Sequence, residues 1–376
     1  SEPPGGISRF FNSRLFLFRQ IPGLRPRRPF SSDIIPLSPL PFFTTESRLK
    51  YAVGLVCLSA LFSVVFGIRK AGGDSAGTRN SAEKSVQQAE HRPQRGWRSV
   101  ALRVIGMLGA IYVLLAVLLL LFEGRFVYHP KRRPDGDWRP PPGVAECTFV
   151  TEDGLQLYAW WRPPEKKDGP VFLWFHGNAG NITHRAENIA ALPAEIGFLM
   201  VDYRGYGKSQ GHPSEQGLYR DGLAAYEYLR GEKGVPPFRI ISFGRSLGTA
   251  VALHVAVERR TAGVILESPL ASARAMARRT LPFIPVWPFM RSRFDNVGTV
   301  ADLPVPLLVI HGDEDSVVPF GQGRAVWEAA TEPKDFYRIE GAGHNDTYRV
   351  GGREYFGKLV AFARRCTEEQ GGIPQE

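Results

Sequence analysis

Cysteine is scarce: Cys57, Cys147 and Cys366 are the only three in 376 residues, far apart and with no pairing rhythm. That excludes a disulfide framework and a cysteine-based zinc finger. Acidic side chains are scarce in one part of the chain only. Residues 1–138 carry 20 Lys and Arg against 9 Asp and Glu, whereas residues 139–376 carry 27 against 28. The formal net charge of +10 therefore belongs to the N-terminal arm, at +11, and the remainder stands at −1. A neutral body has no electrostatic reason to seek a phosphate backbone, so no nucleic-acid partner is expected. With 43% hydrophobic and 22% charged residues the chain is neither collagen-like nor wholly disordered.

The arm is basic and interrupted by apolar runs, a pattern that points to a membrane. Residues 1–50 are rich in Arg, Phe, Pro and Ser, and a disordered basic tail is expected; Arg9, Arg14, Arg19, Arg25, Arg27 and Arg28 fit an organelle transit peptide as well. Tyr51–Ile68 is an uncharged run diluted by Gly and Ser and is a possible transmembrane segment, followed by a polar linker over 69–103. Val104–Phe122 is stronger: 19 uncharged residues, nearly solid Leu, Val and Ala toward the end. At 1.5 Å per residue it spans about 28 Å, close to the hydrocarbon thickness of a bilayer. Arg98 and Arg103 flank one end and Arg125, Lys131, Arg132 and Arg133 the other, so orientation stays open. One or two passes are expected, with the body of the protein outside the bilayer.

After the Pro-rich Arg139–Pro142 the texture changes. Cys147–Val150 and Leu155–Trp161 read as a hairpin around Gly154. Val171–Phe175, Phe198–Val201, Ile240–Phe243, Val264–Leu266, Leu307–Ile310 and Phe336–Ile339 are short apolar runs of the kind buried on both faces of a parallel sheet. Helical patterns lie between them, at Ala186–Ala194, Leu218–Arg230, Leu247–Glu258, Gly323–Ala330 and Tyr355–Arg365. The alternation predicts an α/β fold with a mostly parallel central sheet over residues 139–366, and a disordered tail over 367–376.

Ligands of such sheets bind beyond the carboxyl ends of the strands. Ile240–Phe243 is followed by Gly244-Arg245-Ser246-Leu247-Gly248 and a helix, a G-x-S-x-G turn in the strand–turn–helix context that makes its serine a nucleophile. His176-Gly177-Asn178-Ala179 follows Val171–Phe175, and its small residues let backbone N–H groups face an oxyanion. Asn178 and Leu247 are the expected donors, Ala179 being the alternative to Asn178. His176 is expected to brace the loop. Asp313 and Asp315 follow Leu307–Ile310, and His344 follows the last strand. Ser246, Asp315 and His344 form the expected triad: His344 takes the serine proton and Asp315 fixes the imidazole tautomer. Asp315 is preferred to Asp313 because two more residues let the loop reach under the histidine. His176, Asp202, Asp313, Asp315 and His344 all stand at strand ends, but no H-x-H or H-E-x-x-H spacing occurs, so no metal and no cofactor is expected.

These motifs, with Asp202–Ser209, Leu266–Pro269 and Glu340–Asp346, resemble the α/β-hydrolase superfamily over residues 144–366. The resemblance is to its membrane-anchored branch, which includes protein depalmitoylases and lysophospholipid lipases. It implies the same roles for Ser246, Asp315 and His344. The chain departs from that branch in its long arm and in lacking an N-terminal cysteine cluster, which weakens protein depalmitoylation as the activity.

Residues 269–296 stand where this fold inserts a cap, here a short one. Its centre holds Phe283 and Trp287, flanked by Arg274, Arg278, Arg279, Arg291 and Arg293. An acyl pocket or interfacial patch and a locally packed lid both fit this composition. Tyr206 or Arg204 is placed to touch substrate, or else Arg204 braces the loop by pairing with an acid. The expected function is hydrolysis of lipid or acyl esters or thioesters at the bilayer; a serine peptidase and a catalytically silent scaffold are the alternatives. The oligomeric state is left open. Catalysis is expected to lie wholly within residues 139–376, the arm adding only location.

Overall fold

The structure, a computed structural model, describes residues 94–371. The readings made for residues 1–50 and 51–68, for most of the linker, and for 372–376 fall outside the described residues.

In chain order the elements are α1 (Gln94–Leu121), α2 (Glu123–Val127), β1 (His129–Pro130), the hairpin β2 (Ala145–Val150) and β3 (Gln156–Arg162), β4 (Val171–Phe175), β5 (Ala179–Gly180), α3 (Ala186–Ala191) and β6 (Gly197–Asp202). Then come α4 (Glu215–Gly231), β7 (Ile240–Arg245), α5 (Gly248–Glu258), β8 (Gly263–Glu267), α6 (Ala273–Thr280), α7 (Asn296–Val300), β9 (Leu307–Gly312), α8 (Phe320–Ala329), β10 (Lys334–Ile339) and α9 (Thr347–Gly371), the last interrupted at Gly352. Eight strands form one sheet in the order β10-β9-β8-β7-β4-β6-β3-β2, parallel except at the two contacts made by β3.

Alternation along the central strands builds two cores. Val171, Leu173 and Phe175 of β4 face a layer with Leu218 of α4 and Val251 and Val255 of α5. Phe172 and Trp174 face the other side, with Ile189 of α3 and Tyr355, Leu359 and Phe362 of α9. Every β4 residue is buried, so the strand carries no polar position at all. Side-chain caps start the helices that flank the site: Ser214 accepts from the Gly217 N–H, and Ser272 from that of Ala275.

Four boundaries differ from expectation. Residues 94–103, read as linker, are the first turns of α1; residues 367–371, read as tail, continue α9, where Glu and Gln favour helix. Helix α1 also stops one residue before Phe122. Its stretch Trp97–Leu121 is long and apolar enough to cross a membrane, about 37 Å at 1.5 Å per residue, with its apolar side chains exposed.

The fourth concerns where the folded body begins. Residues ahead of Arg139 pack against it as well. The buried Glu123 carboxylate accepts the N–H groups of Arg291 and Ser292 at 2.9 and 2.7 Å. Strand β1 pairs in parallel with β5, and the Lys131 N–H donates to the Gly180 carbonyl at 3.1 Å. Asn181 donates to the carbonyls of Lys131 and Asp135. The Arg132 side chain donates to the carbonyls of Gly205 and Gly211. Backbone polar groups brought this close to the body need partners, and the body supplies them.

Candidate active site

The carboxyl end of β7 turns sharply into α5. Ser246 occupies the turn at φ 51°, a left-handed conformation, and its N–H donates to the Glu267 carbonyl at 2.8 Å. Two glycines make the turn possible. A Cβ on Gly244 would stand 2.3 Å from the Gly248 carbonyl oxygen, and one on Gly248 would stand 2.2 Å from that of Phe175. Strand, serine and helix can approach so closely only without those side chains.

His344, on the loop after β10, directs Nε2 at Ser246 Oγ at 3.1 Å and Nδ1 at Asp315 Oδ2 at 2.7 Å. Asp315 is buried, and its other oxygen accepts the N–H groups of Val317 and Val318 at 2.9 and 2.7 Å. Burial works to raise this carboxyl's pKa. His311 at 3.4 Å, the bond to His344 and the Val318 amide outweigh it and hold the group well below the usual carboxylate range. Asp313 goes elsewhere: it accepts from Arg338 at 2.6 Å and from the Gly341 N–H at 2.8 Å, bracing the same pair of loops.

Arg245 sets the position of the histidine loop. Its guanidinium donates to the His344 carbonyl at 2.5 Å and to Asn345 Oδ1 at 3.2 Å, and faces the buried Glu267 at 3.5 Å. Glu267 in turn accepts from Thr347 and Tyr355. This ion pair lies directly behind the elbow, and the sequence reading did not include it.

Asn178 and Leu247 line the same cavity as Ser246, and among the described residues neither backbone N–H donates to a protein acceptor. The Asn178 side chain is fully engaged. Its amide donates to the Val127 carbonyl at 2.5 Å, and its oxygen accepts from the His129 N–H at 3.3 Å and the Tyr206 hydroxyl at 3.1 Å. Tyr206 is fully buried, with the His176 and Tyr203 rings against it. It does not line the cavity; it braces the Asn178 loop from behind. His176 is buried, 3.4 Å from Asp202, in the bracing place expected of it. Arg204 pairs with Asp221 and Asp153, each at 2.8 Å, and is a loop brace.

A cavity of about 640 Å³ opens beside Ser246 and His344. Its walls are mostly apolar: Leu119 and Leu120 of α1, Phe126 and Val127 of α2, Met276 and Ala277 of α6, Leu281, Val286 and Met290 of the cap, and Val317 and Val318. The cap does supply a wall, but Phe283 and Trp287, the aromatics expected there, do not line it. Phe283 is exposed and Trp287 packs half-buried against the core. Val286 and Met290, on either side of the helical turn Trp287–Phe289, are the buried members of this stretch, and nothing in the sequence tells which members of an apolar cluster take the inner side. Glu123, Arg185 and Arg245 are the charged residues on the walls. Glu123 is a lone acid just after a long apolar run, a signal that could have marked it.

A family model described as serine aminopeptidase, S33, matches residues 166–297. The chain is 36% identical to the uncharacterized protein Rv2307c of Mycobacterium tuberculosis, over 69% of this chain and 94% of that one. It is 31% identical to the alpha/beta hydrolase domain-containing protein WAV2 of Arabidopsis thaliana, over 70% of this chain and 94% of that one. Among solved structures the Pyrococcus furiosus esterase Pf2001 superposes with a TM-score of 0.54 and 20% identity, covering 64% of this chain and 99% of the esterase; at that identity the likeness is one of fold.

Proposed function

The chain belongs to the α/β-hydrolase superfamily, and on that premise we propose that it is a membrane-anchored serine hydrolase cleaving carboxylic esters or thioesters of lipid-like acyl groups through an acyl-serine intermediate. One observation carries the reading: the hydrogen-bonded series Asp315–His344–Ser246 opens onto an apolar cavity. His344 Nε2 takes the Ser246 proton as Oγ attacks the substrate carbonyl carbon. The tetrahedral oxyanion is held by the Asn178 and Leu247 N–H groups. The intermediate collapses as His344 gives its proton to the departing alcohol or thiol. Water, activated by the same imidazole, then releases the acid and restores the serine. Asp315 stays ionised and stabilises the imidazolium. The exposed apolar length of α1 supports the anchor.

The aminopeptidase reading meets an obstacle in the cavity. Recognition of a free amino terminus needs an available carboxylate, and Glu123, the only acid on the cavity walls among the described residues, already accepts two backbone N–H groups with its two oxygens. Turnover of p-nitrophenyl butyrate and of an aminoacyl p-nitroanilide by the purified full chain separates the two. The ester is expected to be hydrolysed and the anilide left intact; anilide cleavage in preference to the ester would overturn the proposal.

A further inference from the structure

The end of the apolar helix itself supplies part of the wall of the cavity that Ser246 lines. Leu119 and Leu120, in its last turn, are half-buried against the cavity, whereas Val113 and Leu114 one to two turns earlier stand exposed. The cap lies along the same stretch. Tyr112 Oη donates to the Phe283 carbonyl at 2.5 Å, so the cap tip reaches nine residues back from the helix end, about 14 Å at 1.5 Å per residue. Phe283 and Phe289 point away from the protein, 47% and 73% exposed, and Arg278 and Arg279 stand exposed beside them. Apolar cavity wall and apolar helix surface are thus continuous, with no polar rim between Leu114 and Leu120.

Resting on the membrane-anchored hydrolase reading above, we infer that the helix end is part of the substrate site: the acyl chain of a bilayer lipid enters laterally, between α1 and the cap. A helix that crosses the bilayer holds the cap tip at the depth of the acyl chains or just above them. Phe283 and Phe289 then sit among lipid, and the cap arginines meet headgroup anions. The acyl chain slides from hydrocarbon into a cavity walled by Leu119, Leu120 and Phe126 without crossing water, and its ester carbonyl arrives at Ser246. Leu120 therefore measures chain length, while Leu114, which does not line the cavity, faces lipid only.

The test uses the full chain in phosphatidylcholine vesicles carrying 4-methylumbelliferyl butyrate or palmitate, and reads the ratio of kcat/KM for palmitate to that for butyrate. Leu120→Trp should lower this ratio at least about tenfold, the scale on which apolar pockets discriminate chain length. Leu114→Trp should leave it within about twofold, being no more than an exposed substitution. An unmoved ratio in Leu120→Trp, or an equal shift in Leu114→Trp, overturns the inference. Should Leu120→Trp fail to fold, Leu119→Ala enlarges the cavity and should move the preferred chain toward longer acyl groups; no movement overturns it equally. Loss of all Ser246-dependent ester turnover in the unaltered protein would instead count against the hydrolase reading, whereas butyrate turnover with an unresponsive ratio would count against lateral entry alone.

Discussion

Ser246, His344 and Asp315 form a hydrogen-bonded series, and under the proposed mechanism its members differ in how replaceable they are. Removing Oγ removes the nucleophile, so Ser246→Ala should lower ester turnover by about 10⁶-fold while the fold persists, read as kcat on p-nitrophenyl butyrate beside a circular dichroism melt. Asp315→Asn keeps the shape but offers the imidazole an amide, and should cost about 10⁴-fold. Asp313→Asn loosens only the bond to Arg338 and should cost far less. The closeness of these three side chains could be anticipated from the sequence, because each follows a strand and their chain order matches the spacing of the motifs. Tyr206, Phe283 and Trp287 do not line the cavity: an aromatic residue in a loop does not say which way it faces, and Tyr206 is buried behind the Asn178 loop while Phe283 is exposed. Tyr206 spends its hydroxyl on Asn178 and its ring on His176.

Among elements, the sheet could be read almost strand by strand, since strands buried on both faces leave unbroken apolar runs; β4 begins and ends where expected. The parallel pairing of β1 with β5 could not be read, because two residues carry no periodicity and the partners lie 50 positions apart. The α6 helix was hidden too: its eight residues include three arginines and sit in a segment that reads as a proline-rich cap. The elbow's glycines give an elemental test. Gly248→Ala drives a methyl group against two backbone carbonyls and should destabilise the fold by about 1–3 kcal/mol or more. Gly321→Ala, in the first turn of α8 with open space around it, should stabilise by about 0.4–1 kcal/mol. Urea unfolding of both variants checks the contrast; similar losses would mean that the β7–α5 approach is looser than its distances imply.

For the whole molecule, the stretch from Glu123 to Trp138 is packed into the body rather than set apart from it. The composition break at Pro140 marked a change of texture, but residues 123–138 are woven into the Asn178 loop and the cap. A chain beginning at Phe122 is expected to hydrolyse short soluble esters near the full-length rate. One beginning at Arg139 loses β1, the Val127 and His129 contacts to Asn178, and the Glu123 contacts to the cap, and should be inactive or unfolded. Equal activity of the two would restore the simpler division. Beneath all of this lies the claim that Ser246 is an activated nucleophile. The most direct measurement is labelling of the full chain with a fluorophosphonate, followed by intact mass and peptide mapping. One adduct per chain on the peptide containing Ser246, absent from Ser246→Ala, is the expected result; a folded protein that takes no label, or takes it at another residue, would contradict the account.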